Sequence, residues 1–515
     1  MKTMRAKKIL YLISLVAVIL LPSKLLSQTS ADALRYSFIT PGGTARFVSM
    51  GGAFGALGAD FSAIGYNPAG LGVYRSSEFT ITPSFKNRSI ESSFNGSTSD
   101  GSRTRFGFEN IGFVTSFSNQ KPEEKGLVMV NLGIGYNQHV DFNSETIAGG
   151  ANTSNSIMDY FAGRANGYNY TDLYYTDEYD PFTSTNIPWD AIMAWNTYLI
   201  DTVPGQTSSY WAALNGDEGV NQQQTLSTKG TMGEFVISLA SNFSNKLYLG
   251  ASIGIQNILY EQVSLYSENA FSTNEPTQNG DRFNSLQYKE TLDITGAGFN
   301  FKVGAIYRPI PLLRLGVALH TPTYFSLNEA YRTYLNSEML LGSSAITSPR
   351  NRYDYGIESP YRVIGSVAFT LEDKGLLSID VEYLDYSTMR LNEGADGTLF
   401  TTQNSYIKDS FQNTFNLRAG GEFWIGDFAL RAGYALYGSP FVSTHVNSNA
   451  GISVISGGAG YRFGGLFMDV AYQRMVGEDS YYFYNLINVE GEPAISPVLR
   501  SMQQGKVLLT VGYKF

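Results

Sequence analysis

The chain has 515 residues, 14% of them aromatic, with 35 tyrosines, 53 glycines and no cysteine. Acidic residues outnumber basic ones 45 to 36, a net charge of −9 that disfavours nucleic acid as a partner. Without cysteine there is no disulfide, no thiolate metal site and no attachment point for a lipoprotein's lipid.

Lys2, Arg5, Lys7 and Lys8 precede the apolar run ILYLISLVAVILL, and Ser27 is a small residue ahead of Gln28. That layout predicts a cleavable signal peptide over residues 1–27. The run is too short to serve comfortably as a membrane anchor. Cleavage removes five Lys/Arg and no acid, leaving 31 basic against 45 acidic residues, net −14. No later run approaches the ~18 apolar residues of a membrane helix. An exported chain rich in aromatics and glycine, without cysteine, fits an all-β transmembrane β-barrel in the outer membrane of a Gram-negative bacterium.

Residues 28–76 do not alternate. Phe47, Met50, Phe54, Leu57, Phe61 and Ile64 recur three and four apart, among small residues, before Asn67-Pro68 forces a turn. The pattern predicts helical turns packed closely against a wall, a plug inside the lumen. The segment GGAFGALG lacks the GxGxxG spacing and follows no strand, so a dinucleotide site is disfavoured.

From residue 77 to 515 the segments alternate apolar-out and polar-in, as barrel strands do. In LLSIDVEY, Leu377, Ile379, Val381 and Tyr383 oppose Ser378, Asp380 and Glu382; in FNLRAGGEF, Phe415 and Leu417 oppose Asn416, Arg418 and Glu422. A soluble sandwich with one wet face also alternates. Fourteen antiparallel strands are predicted, beginning near residues 77, 106, 126, 231, 246, 286, 312, 352, 376, 411, 427, 452, 466 and 504. Tight links (QKPEEK, NFSN, RPIP, EDK, IGD, GG) alternate with long ones, over roughly 89–105, 141–230, 262–285, 328–350, 391–410, 438–450 and 477–503. Short inner turns and long outer loops mark a bacterial barrel. Aromatics flank the tight links, among them Phe117, Tyr248, Tyr307, Phe369, Trp424 and Phe463, as an interfacial belt requires.

The last residues, GKVLLTVGYKF, alternate through Val507, Leu509, Val511 and Tyr513 to a terminal Phe515. This resembles the strand by which outer-membrane proteins are recognised by the barrel assembly machinery, a predicted partner alongside outer-membrane lipid.

The stretch SMGGAFGALGADFSAIGYNPAGLG resembles the N-terminal hatch of the FadL/TodX family of outer-membrane transporters of hydrophobic compounds, with Asn67, Pro68 and Ala69 as its closing triplet. RAGYALYGSP and GGAGYRFGGLFMDVAYQ, around Gly460, Tyr461, Arg462 and Phe463, are similar to that family's closing strands. The resemblance implies a fourteen-stranded barrel with a plug, passive uptake of molecules such as long-chain fatty acids, and an inward kink in the third strand that opens the wall sideways. Gly133 and Gly135 in GLVMVNLGIGYNQ are the candidates for that kink.

Phe47, Phe54 and Phe61 are candidates to line an apolar channel. Arg46, Arg418 and Arg431 are candidates for a carboxylate head group, although lumen charges commonly pair with each other, as Arg418 and Arg431 would with Glu422 or Asp380. In the loop, IPWDAIMAWNTYLI offers Trp189 and Trp195 on a short amphipathic helix as an outer receptor. An enzyme is disfavoured. His139, His320 and His445 lie in separate segments without metal-ligand spacing, and Ser443 with His445 has no evident orienting acid. The acidic loop DEYD (177–180) lacks a calcium-loop spacing. No cofactor is predicted. The rival reading is a plugged barrel serving protein export or surface attachment. An apolar cavity reaching the plug favours transport, and an ionic lumen favours the scaffold.

Overall fold

The computed structural model describes residues 30–40, 42–118, 125–184, 186–214, 218–271, 282–371, 374–394, 397, 399–484 and 495–515. The signal-peptide assignment lies outside them. Fourteen strands form the wall: β1 (Glu78–Phe94), β2 (Ser97–Ser118), β3 (Leu127–Asp141, continued by Ser144–Asn152), β4 (Val220–Phe243), β5 (Leu247–Ala270), β6 (Phe283–Ile310) and β7 (Leu313–His320, continued by Tyr324–Met339). Then follow β8 (Gly342–Thr347, Asn351–Glu358 and Arg362–Thr370), β9 (Gly375–Asp385), β10 (Asn413–Ile425), β11 (Phe428–Tyr437), β12 (Ile452–Phe463), β13 (Leu466–Tyr481) and β14 (Val498–Lys514). Each pairs antiparallel with its neighbour, and β1 closes on β14, from Glu78↔Lys514 to Ser93↔Leu499. Closure joins the first strand of the sheet to the last, as lipid favours because it offers no hydrogen bonds to an open edge.

Lipid also explains the alternation. On β6 the outward residues Phe299, Phe301, Val303 and Tyr307 are each about half exposed, a belt nine residues long. Toward the outer end the same face turns polar, with Gln287, Lys289 and Thr295. A tilted strand needs about 9–11 residues to cross a bilayer. β6 has 28, and β4 and β5 have 24 each, so the wall continues well beyond the membrane.

That extension overturns several expected loop boundaries. The link placed at 89–105 is strand on both sides of a two-residue turn, Asn95-Gly96, with φ of 46° and 81°. Positive φ at both positions gives the twist a tight hairpin requires. The link at 328–350 is likewise strand, turning at Leu340–Leu341. Within 141–230, Ser144–Asn152 pairs with β4 over Val220–Thr228, so the insertion proper spans 153–219. In these regions neither strand face meets lipid, and the sequence loses its alternation. Of the expected aromatic belt, Phe117, Tyr307, Phe369 and Phe463 are exposed on the outside, whereas Tyr248 and Trp424 turn inward.

Residues 30–76 lie within the barrel. They comprise α1 (Ser30–Ser37), α2 (Ala45–Ser49) and two 3₁₀ turns, Phe61–Gly65 and Pro68–Val73. Outside the plug, α3 (Ile157–Ala165) and α4 (Trp189–Asn196) sit in the 153–219 insertion and α5 (Thr401–Ser410) follows β9. No helix among the described residues is long and apolar enough to cross a membrane.

Candidate functional site

The plug is held to the wall by small residues facing bulky ones. Asn67 is 1% exposed; its Oδ1 caps the following turn by accepting from Ala69 N at 3.0 Å, and its Nδ2 donates to Gly55 O at 2.6 Å. Pro68 opens the turn, where its missing N–H costs nothing. The triplet presses on the wall so closely that a Cβ at Gly304 of β6 would lie 1.9 Å from Asn67 Oδ1. The three candidate phenylalanines are all buried. Phe47 packs between Phe54 and Tyr66, with ring centroids 5.2 Å from each. Phe61 packs separately with Ile64, Leu71 and the wall residues Val114 and Val236. These rings fill space between plug and wall; they do not border an open channel.

The arginine candidates are engaged by carboxylates. Arg46 of α2 binds Glu422 of β10 with two nitrogens, at 2.7 and 3.2 Å, and donates to Ala59 O at 3.0 Å. Arg431 of β11, opposite Glu422 in register, reaches Glu422 at 2.8 Å and Asp469 at 2.6 Å. Arg418 pairs with Glu382 at 3.1 Å, which also holds Arg362 at 3.0 Å. The suggested partner Asp380 instead accepts from Gly55 N of the plug at 2.9 Å. Two further groups were missed by sequence reading: Glu234 with Lys302 at 2.5 Å and His139 at 3.3 Å, and Glu109 between Lys86 and Lys506 at 2.6 and 3.4 Å. Inward positions of alternating strands were the available signal, but cross-strand register decides who meets whom. These pairs form an ionic collar around the plug. On the side of the short turns a cavity of about 340 Å³ reaches the collar past Trp424, Asp427 and Lys514.

The character of the lumen changes beside α1. Met232, Ile258, Ile294, Phe325, Leu327, Ile357 and Leu384, from the six consecutive strands β4 to β9, turn apolar side chains inward and surround Ala33 and Tyr36. Phe400, Ile407 and Phe411 of the α5 region complete the enclosure. Arg35 pairs with Asp32 and lies over the Tyr260 ring at 4.3 Å, while Arg362 donates to Ser37 O at 2.6 Å. An eight-residue helix therefore fills an apolar chamber between the collar and the outer loop.

Gly133 and Gly135 are not where β3 departs from the wall. Both pair regularly with β2 and β4. Gly135 instead makes room for the plug, since a Cβ there would lie 2.5 Å from the Phe61 ring. The β2–β3 ladder stops at Asn110↔Asn137, and the register with β4 slips between Gln138 and Val140. Beyond that point Asp141 turns to Lys86 at 3.2 Å and Arg105 at 3.6 Å. The departure lies a few residues past the glycines, at NQHVD, which carries no glycine to flag it.

The insertion 153–219 folds on the outer end of the wall. Glu268 of β5, fully buried, accepts from Ile157 N at 2.8 Å, Gln222 Nε2 at 2.9 Å, Tyr266 OH at 2.6 Å and the Ser156 hydroxyl. A carboxylate is favoured at the start of α3. Asp190 accepts from Tyr160 OH at 2.8 Å and Arg164 Nε at 3.1 Å. Burial, with Asp190 alongside, pushes the Tyr160 hydroxyl well above its ordinary value, so it remains a donor. Ile192 and Met193 of α4 pack inward on Leu286, Leu335 and Met339 of the wall. Of the two receptor candidates, Trp189 packs edge-on against Phe182 at 5.7 Å. Trp195 borders a cavity of about 470 Å³ together with Tyr174, Tyr175, Tyr198, Trp211 and Asp201. The insertion carries nine acidic residues and one basic residue, net −8. Tyr174, Tyr175, Tyr198 and Trp211 went unnoticed because they lie in irregular segments, a turn and a three-residue strand, too short to show a period.

The histidines are dispersed. His320 meets Tyr66 O at 2.7 Å, and His445 sits in a run of turns, not a strand, stacked 4.3 Å from Phe441 with its Nδ1 accepting from Asn447 N. Burial holds His445 below the usual imidazole range. Among the described residues no group of three His, Asp or Glu side chains is placed to hold a metal ion.

The structure is similar to that of a Pseudomonas aeruginosa FadL homologue, with a TM-score of 0.54, 15% identity, and coverage of 93% of this chain and 100% of that one. It is also similar to the Pseudomonas putida toluene transporter TodX, with a TM-score of 0.51, 13% identity and coverage of 92% and 99%. At such identities the likeness is one of fold. No curated protein matches the chain. A family model described as outer membrane protein transport protein (OMPP1/FadL/TodX) matches residues 216–496, more than half the sequence, away from the plug. The chain belongs to the OMPP1/FadL/TodX family of outer membrane transport proteins.

Proposed function

We propose that the protein admits hydrophobic compounds passively across the outer membrane, through a lumen gated by its N-terminal plug. The supporting observation is the apolar chamber: six strands present Met, Ile, Leu and Phe to the inside of a barrel where a water-filled pore would be polar. α1 fills that chamber, and a solute would take its place. Long-chain fatty acids fit an apolar chamber of this kind. The net −8 outer insertion opposes ionised carboxylates at the mouth, so uncharged hydrocarbons are the favoured cargo. Assembly of the wall through the strand ending at Phe515, by the barrel assembly machinery, belongs to the same reading.

The ionic collar favours a second reading, a plugged scaffold for protein export or surface attachment, because its charges leave no greasy path past α2. Lipidomic and proteomic analysis of the detergent-purified protein separates the two. A retained hydrocarbon or acyl chain supports uptake; repeated absence of both, with a protein partner retained, supports the scaffold. Vesicle uptake of a neutral hydrocarbon against a fatty acid then ranks the cargo.

A further inference from the structure

The cavity on the outer insertion combines aromatic rings with negative charge. Tyr174, Tyr175, Trp195, Tyr198 and Trp211 border it; among the described lining residues Asp201, whose Oδ1 accepts from Thr202 N at 2.7 Å, is the one charged group, and none is Lys or Arg. At about 470 Å³ it accommodates a small organic molecule. The single basic residue of the insertion, Arg164, is bound to Asp190. An anion entering this space would meet no Lys or Arg among the described lining residues, within an insertion of net charge −8. A cation would meet five aromatic residues, the ring type whose faces attract cations through their quadrupoles, and a carboxylate. Tyr198 adds a conformational sign: it holds φ of 60°, in the left-handed region that costs a non-glycine residue energy, and still presents its ring to solvent at 64% exposure.

We propose that this cavity is a binding site for organic cations with an apolar body, such as quaternary ammonium compounds. The proposal goes beyond the uptake reading, which concerns uncharged cargo in the lumen, by assigning the outer insertion a ligand class of its own. Binding and passage are measured separately, so failure of one is distinguishable from failure of the other.

The test uses the full-length protein in a non-ionic detergent and three probes sharing one ring: benzyltrimethylammonium, benzyl alcohol and benzoate. Binding is read from tryptophan fluorescence and confirmed by calorimetry. The cation is expected to bind at least about tenfold more tightly than the alcohol, given several rings contributing together, with benzoate weakest. Added salt is expected to weaken the cation selectively. Equal affinity for cation and alcohol, or tighter binding of benzoate, overturns the proposal. Two variants locate the site without emptying a core. Asp201→Asn keeps the shape and removes the charge. Tyr198→Gly removes a ring where glycine suits the backbone. Each is expected to lower cation affinity at least about threefold while leaving benzyl alcohol within twofold. An unchanged cation affinity in both overturns the assignment. Vesicle entry of the same cation is scored apart: a cation that binds but does not enter leaves the site standing and agrees with an uncharged cargo, whereas its entry would extend the cargo to cations.

Discussion

At the residue scale the informative contrast is between Arg46 and Glu422. Both belong to the joint between α2 and the wall, but they are not equivalent. Removing Arg46 leaves Glu422 still paired with Arg431 at 2.8 Å. Removing Glu422 strands Arg46 beside Ala59 O and leaves Arg431 with Asp469 alone. A buried charge stripped of its partner costs about 3–5 kcal/mol. Glu422→Ala is therefore expected to loosen the plug far more than Arg46→Ala. Dye leak from vesicles and proteolysis within residues 30–76 measure it; equal leak from the two variants would remove the collar from any part in seating the plug. The arginines also show what residue-level sequence reading achieves. That Arg418 and Arg431 face inward was legible from alternation. That Arg418 meets Glu382 and not Asp380 was not, because directly opposed residues and diagonal ones both lie within reach of a long side chain.

At the element scale the plug and the insertion behave as bodies docked on a finished wall. Deleting residues 29–66 removes α1, α2 and the Phe61 turn, emptying both chamber and collar, while every strand keeps its neighbours. Non-specific leak of small solutes from vesicles is expected to rise, and unchanged leak would argue that another element blocks the lumen. The insertion has a single-residue anchor of a different kind. Glu268 gathers donors from α3, β4 and its own strand, so Glu268→Ala leaves several buried donors unsatisfied, at about 1–3 kcal/mol each. Hydrogen exchange is expected to quicken at Ile157–Ala165 and not at β5 below the outer extension. Strand positions in the membrane were readable because lipid imposes one apolar face. Their outer ends were not, because above the bilayer both faces accept polar residues. Asn95-Gly96 was the legible exception, a two-residue hairpin signal lying inside a segment read as loop. The plug's apolar spacing placed it against a wall, but glycines with positive φ at Gly51, Gly52 and Gly58 break it into short turns where the spacing suggested longer helix.

At the scale of the whole molecule, one sheet serves two solvents, and the position of the change decides what the outer surface tolerates. On β6 the outward face is apolar from Phe299 to Tyr307 and polar from Gln287 to Thr295, with no break in hydrogen bonding to β5. The wall is thus continuous while its surroundings switch from hydrocarbon to water. The count of fourteen strands followed from the hydrocarbon part alone, since every strand must cross it once. The height of the barrel could not follow, because nothing periodic records where a strand ends in water. The division makes a quantitative prediction. Val303 is half exposed in the middle of the apolar belt, and Gln287 is exposed on the same face beyond it. An arginine at the bilayer midplane costs about 2–4 kcal/mol, and about 0–1 kcal/mol at or beyond the interface. Val303→Arg is expected to lower unfolding stability in lipid vesicles by the larger amount and Gln287→Arg to leave it nearly unchanged. In non-ionic detergent, which adapts its thickness around a charge, the difference is expected to shrink. Equal losses in lipid would place the membrane boundary higher on the wall and return the outer extension of β4–β6 to the bilayer.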